Sequence, residues 1–248
     1  MRLKIIACNV FQREVCLCAA QSPHVLDLEF TELGEHVHSD SLRAKLQSRI
    51  DAADASAKSY DAIVLCFGIC GNATVGLRAG KTRLVIPRAH DCCTVLLGSR
   101  EKFKEHFADK PSTPFGSAGY MERGEYYMRT EDGETTLRFG DAFAAYVEQY
   151  GEENARYIWD TMHPLEKNGD KRAVFIDIPE TSHLGYAEQF KARADEDGRE
   201  FVRLEGSLDL IRDLLNGTWR PSEVLEVPPG HQVAGVYDWN EIIRAIPV

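Results

Sequence analysis

The sequence predicts an α/β fold: a mostly parallel sheet with helices on both faces and an irregular inserted segment around residues 110–137. Three observations carry this. Apolar runs of strand length, such as DAIVLCF (61–67) and RLVIP (83–87), are continuous rather than alternating, as strands covered on both faces require. Stretches with helical spacing separate them. With 248 residues, 44% of them hydrophobic and 27% charged, the chain can bury such a core. The alternation is Rossmann-like. A single domain over 1–248 is the expectation, with a split into two lobes near 110–165 as the alternative.

Taken in order, LKIIACNV (3–10) reads as a buried strand and is followed by a short helix over 12–20. VLDLEF (25–30) is the second strand. SDSLRAKLQSRIDAADA (39–55) opens on a capping Ser39 or Asp40 and continues with helical spacing. The runs at 61–67 and 83–87 are the third and fourth strands; GNATVGLRAG (71–80) between them reads as a turn and a short helix. CCTVLLGSREKFKEHFAD (92–109) is helical with a break near Gly98.

The stretch from 110 to 137 carries Pro, Gly, Ser and aromatics without a period and reads as an excursion, a lid or a small hairpin. Helical spacing returns at 139–150 and 153–162. Strand, helix, strand and helix are then expected at 171–179, 183–198, 199–206 and 207–217, the last closed by Gly217. SEVLEVPPG (222–230) is a final strand before a short tail.

A net charge of -10, with no basic stripe, argues against a nucleic-acid partner. No stretch approaches the roughly 20 apolar residues of a membrane span, and no leader pattern opens the sequence, so the cytoplasm is the expected compartment. Seven cysteines are many for such a chain, and the number is odd. That points away from a disulfide framework and leaves buried thiols, a metal site or redox chemistry.

In parallel sheets ligand chemistry gathers at the carboxyl ends of the strands. Cys8 stands at the end of the first strand, Cys70 just past the third, and His90, Cys92 and Cys93 just past the fourth. If the first strand lies beside the third and the third beside the fourth, these side chains converge. Three thiolates and an imidazole suit Zn²⁺; iron or an iron–sulfur cluster suits them too. Cys8, Cys70, His90 and Cys92 are therefore the candidate metal ligands. A closed site would be structural, and an open position could take a substrate thiol and lower its pKa.

Cys16, Cys18 and Cys66 read as small core residues. His90 could instead be a hydrogen-bonded loop histidine. Asp91 could orient His90 or cap the helix at 92. Arg88, Asn72 and Tyr120 are candidates for substrate binding, Arg88 through a carboxylate or phosphate, with a surface ion pair as its plain alternative. Tyr126 and Tyr127 could join Tyr120 in a lid, and Glu14 lies on the first helix facing an undetermined direction. The glycines at 68, 71 and 76 match neither the dinucleotide fingerprint nor a phosphate loop.

The blocks IACNVFQREV, CFGICGNATVGL, VIPRAHDCCTVLLGSRE, YGEENARYIWD and RLEGSLDLIRDLLNGTWRPSEVLEVPPG resemble, in order, those of the family catalogued as domain of unknown function 1638. The resemblance maps recurrent cysteines onto Cys8, Cys70 and Cys92 and an Arg-Ala-His-Asp-Cys block onto Arg88–Cys92, and it marks Cys93 as an addition. It implies methyl-group metabolism linked to corrinoid-dependent methyltransferases in anaerobes. The chain lacks the D-x-H-x-x-G element of many corrinoid carriers.

The expectation that follows is a zinc-dependent protein acting on a small thiol or methylated compound. It would be a methyltransferase working with a corrinoid protein, or a non-enzymatic accessory that binds or delivers a metal, cluster or small molecule. A metal-free thiol-redox protein, with a Cys70–Cys92 disulfide, is the remaining reading.

Overall fold

Four parallel strands, joined by crossovers long enough to hold helices, build the main sheet of the computed structural model, which describes residues 1–32, 39–110, 113–124, 171–236 and 241–248. They are β1 (Arg2–Cys8), β2 (Val25–Thr31), β3 (Ala62–Cys66) and β4 (Leu84–Pro87). A fifth strand, β8 (Val224–Val227), pairs antiparallel with β4, giving the order β2-β1-β3-β4-β8. The first and third strands are neighbours, as are the third and fourth.

The chain steps from β1 to β2 on one side and returns past β1 to β3 on the other. With right-handed crossovers, the helices α1 (Gln12–Ala19) and α2 (Ser39–Ala55) then lie on opposite faces. The reversal of direction between β1 and β3 is a topological switch point, where open parallel sheets bind ligands.

A second parallel sheet has the order β5-β6-β7, from β5 (Phe115–Ser117), β6 (Arg172–Asp177) and β7 (Glu200–Glu205). The strands expected at 171–179 and 199–206 thus belong to a sheet of their own. One apolar core joins the two: Val174, Ile176 and Ile178 cluster with Ile5, Val64 and Ile86. The helix α7 (Asp209–Asn216) packs against α1; its Leu210, Ile211, Leu214 and Leu215 form one buried stripe and Gly217 ends it at φ 73°.

Other elements follow the sequence closely. Gly98 at φ 83° separates α3 (Cys92–Leu97) from α4 (Arg100–Phe107). Gly185, at φ 74°, divides the expected helix at 183–198 into a 3₁₀ turn over Ser182–Leu184 and α6 (Tyr186–Glu196).

Three expectations need correction. Residues 71–80 form turns, not a helix, because Cys70, Gly71, Asn72 and Gly76 all have positive φ. The excursion after 110 contains β5 and a one-turn helix α5 (Ala118–Met121). The short tail is an antiparallel hairpin, β9 (His231–Gly235) with β10 (Ile243–Pro247). The helices expected at 139–150 and 153–162, with Tyr126 and Tyr127, lie outside the described residues. No described helix is long and apolar enough to cross a membrane.

A Cβ on Gly68 would stand 2.4 Å from the Cα of Asp91, so only glycine lets the loops after β3 and β4 approach this closely. Gly68→Ala should destabilise the protein by about 1–3 kcal/mol through overpacking against backbone, read as a lower urea midpoint. An unchanged midpoint would show that the two loops can separate freely.

Candidate functional site

The loops leaving β3 and β4 continue to pair beyond the strand ends. Ile69 N–H donates to Ala89 O at 2.8 Å and Cys70 N–H to His90 O at 3.3 Å. Asp91 caps α3, its Oδ1 accepting from Thr94 N–H at 3.3 Å, which sets Cys92 at the first helical position. The result is a contact of 4.0 Å between the Cys70 and Cys92 sulfurs, both buried.

Cys8, at the end of β1, completes the cluster by sharing a hydrogen bond with Cys92. Tyr120 of α5 closes it from the side of the second sheet, also hydrogen-bonded to Cys92. α5 reaches this position because Gly119 lies against the Asn9–Phe11 turn, where a Cβ would stand 1.8 Å from Val10 O. Cys92 is thus the hub, with Cys8, Cys70 and Tyr120 around it.

Burial dominates the electrostatics. The Cys8 thiol is pushed well above its ordinary range by burial and then by its hydrogen bond to Cys92. For Cys70 the hydrogen bond with Cys92 is the larger cause and burial the second. Burial, followed by the charge of Cys92, lifts Tyr120 in the same direction. Without a cation nearby, these groups hold their protons at neutral pH.

Cys70 adopts φ 47°, followed by Gly71 at 63° and Asn72 at 70°. Such a conformation costs a non-glycine residue roughly 1–2 kcal/mol, and strain of this kind collects at functional sites. Arg43 holds the turn by donating to Asn72 O at 2.8 Å.

The remaining candidates divide. The His90 carbonyl belongs to the thiol loop, whereas its ring lies 5.5 Å from that of Phe103 on α4. Among the described residues no group of three or more His, Cys, Asp or Glu side chains is placed to hold a metal ion. Arg88, a candidate for binding a carboxylate or phosphate with a surface ion pair as the alternative, serves backbone carbonyls. It donates to Pro221 O at 2.9 Å, to Glu241 O at 2.7 Å and to Ile243 O, binding the β9–β10 hairpin to the β4 loop. Asn72 is exposed on the turn. Cys18 and Cys66 are buried as expected and Cys93 is buried too, but Cys16 is exposed, on the outer side of α1.

Sequence reasoning left one buried acid unplaced. Glu14 is 1% exposed in the first turn of α1, and its Oε2 has no hydrogen-bond partner among the described residues. Burial holds its carboxyl up at about 7. Its charge is felt at Cys66, which in turn feels Cys92. The signal was present in the spacing: Phe11, Glu14, Val15 and Cys18 share the helical stripe that meets the core. Around the same edge the buried hydroxyls of Thr31, Thr74, Thr94 and Ser117 also find no partner among the described residues.

Residues 30–215 match the family described as a protein of unknown function, DUF1638. The chain belongs to the DUF1638 family. The matched span includes Cys70, His90, Cys92 and Tyr120, while Cys8 lies before it. Neither a curated protein nor a solved structure matches the chain.

A carboxyl whose folded pKa of about 7 lies above its ordinary 4.5 binds its proton more tightly in the folded state. Its contribution to stability is intact below pH 4.5 and is lost as pH rises through 7. Glu14→Gln should therefore leave stability near pH 4 unchanged and raise it at pH 8 by up to about 3 kcal/mol, measured by urea denaturation at both pH values. Equal stability of the two proteins at pH 8 would show that the Glu14 carboxyl is solvated.

Proposed function

We propose that this DUF1638 protein binds a soft metal ion, zinc first, through the thiol cluster at the carboxyl edge of its main sheet. One observation carries the reading: the Cys70 and Cys92 sulfurs are 4.0 Å apart, with Cys8 hydrogen-bonded to the second of them. Two thiolates at ~2.3 Å on one tetrahedral ion stand about 3.8 Å apart, so this edge of the cluster already has the required length. The donor set agrees, since thiolates select zinc or copper(I) over hard cations. Cys8 would have to move with its loop to complete a three-thiolate cage, because the described side chains do not yet form one.

Cys8, Cys70 and Cys92 hold the ion in this reading, and Tyr120 is the polar group facing the remaining position. A bound zinc ion supplies Lewis-acid polarisation, which makes a small thiol reactive at neutral pH. The ligand class is accordingly a small thiol or a methylated compound, and corrinoid-linked methyl transfer is the enzymatic form of the proposal. A metal-delivering or storage protein is its non-enzymatic form. Iron in place of zinc would colour the protein under anaerobic purification.

Protein purified anaerobically with zinc supplied should carry about one zinc per chain. Cys70→Ser and Cys92→Ser should each lower that content at least about tenfold, while Cys16→Ser, on the exposed face, should leave it unchanged. Elemental analysis decides the matter, and full zinc in Cys92→Ser would end the proposal. The sulfur contact also favours a second reading, a reversible Cys70–Cys92 disulfide. That reading requires a cross-linked peptide pair by mass mapping after treatment with oxidised glutathione and no metal before it.

A further inference from the structure

We propose that the outer edge of β2 is an interface between two copies of this chain, which pair their β2 strands antiparallel about a two-fold axis at Leu28. The sheet order β2-β1-β3-β4-β8 places β2 at one end, with β1 as its partner among the described strands.

Parallel pairing decides which groups face outward. Val25 N–H donates to Met1 O at 3.0 Å, so Val25, Asp27, Glu29 and Thr31 turn their amides to β1. Leu26, Leu28 and Phe30 therefore turn theirs to the outer edge. Among the described residues Phe30 O accepts from Arg49 Nη1 at 3.1 Å, which leaves its second lone pair for another donor.

This edge lacks the usual protection against strand addition. β2 pairs with β1 through all seven of its residues without a bulge, and VLDLEFT holds no proline, glycine or lysine. At the opposite edge, β8 is four residues long and is packed by β10. Exposed apolar side chains gather on the β2 side. Of the four large ones among the described residues, Met1, Leu17 and Val25 lie in the β1–α1–β2 stretch.

One register engages all three outward residues of both copies. With Leu28 opposite Leu28 of the second copy, Leu26 lies opposite Phe30, and each of these pairs exchanges two N–H···O bonds. The half-buried side chains of Leu26, Leu28 and Phe30 project from one face and join those of the second copy in a continuous apolar row. On the other face Asp27 comes opposite Glu29, and each acid brings cations with it. Lys58 lies 2.8 Å from Asp27, and Lys4 and Arg49 lie 2.7 and 3.3 Å from Glu29. The two-fold axis sets Lys58 of one copy beside Glu29 of the other, so the charges of the two edges complement each other.

The test uses the full chain. Sedimentation velocity from about 5 to 500 μM should show monomer passing to dimer, because an interface of one strand per copy is small. Leu28→Lys puts two ammonium groups on the axis. It should weaken dimerisation at least about tenfold and still unfold cooperatively in urea. A second measurement reads the register, in a Cys16→Ser background that removes the exposed thiol. Leu28→Cys sets two thiols on the axis with Cα atoms about 5.5 Å apart, within disulfide reach. Val25→Cys, at the more exposed position, stands about 20 Å from its copy. With oxidised glutathione, Leu28→Cys should form a covalent dimer at least about tenfold faster than Val25→Cys on non-reducing gels. A wild type that stays monomeric through the whole range, or a dimer undiminished in Leu28→Lys, would overturn the proposal. Equal cross-linking rates would overturn it too, and that comparison decides alone if Leu28→Lys does not fold.

Discussion

The close approach of two loops at Gly68 and Asp91 is the constraint on which the site depends. Backbone there meets backbone with no room for a side-chain carbon, and two further hydrogen bonds extend the pairing through Ile69 and Cys70. Cys70 and Cys92, 22 residues apart, are brought into contact by this approach and by the Asp91 cap. The parallel order β1-β3-β4 supplies the rest, because it directs all three strand ends toward the same edge and adds Cys8 to the pair. A second sheet then covers that edge through α5 and Tyr120.

Burying several ionisable groups together has an electrostatic consequence. Cys8, Cys70 and Tyr120 are all pushed toward their neutral forms, and each is affected by Cys92. A single negative charge at this edge raises the cost of the next one. The apolar surroundings that hold the thiols in place therefore favour their protonated forms. The Glu14 carboxyl is held up at about 7 by burial of its own, and its charge is felt at Cys66 and Cys18.

Much of the architecture could be read from the residues. Continuous apolar runs identified β1, β3 and β4, and the alternating VLDLEF identified β2; the rule that parallel strands gather chemistry at their carboxyl ends placed Cys8, Cys70 and Cys92 together. The division of the strands between two sheets was not legible, because an apolar run such as VFIDI looks the same whichever sheet receives it. The run of left-handed residues at 70–72 was hidden for another reason: Gly71 and Asn72 adopt that conformation readily, but Cys70 does so against its own preference, and Arg43 and the neighbouring loop hold the turn. Arg88 looked like a ligand-binding residue because a sequence shows an arginine beside a site but not the carbonyls of a distant hairpin that take its hydrogen bonds.

That hairpin bears on both arms of the site at once. β9 accepts hydrogen bonds from Gly76 and Ala79, in the turn that follows Cys70, while Arg88, two residues before His90, grips its other strand. Without the hairpin, the backbone donors of Gly76 and Ala79 and the Nη1 of Arg88 would all lose their acceptors, so these strands satisfy polar groups on both loops that carry the sulfur pair.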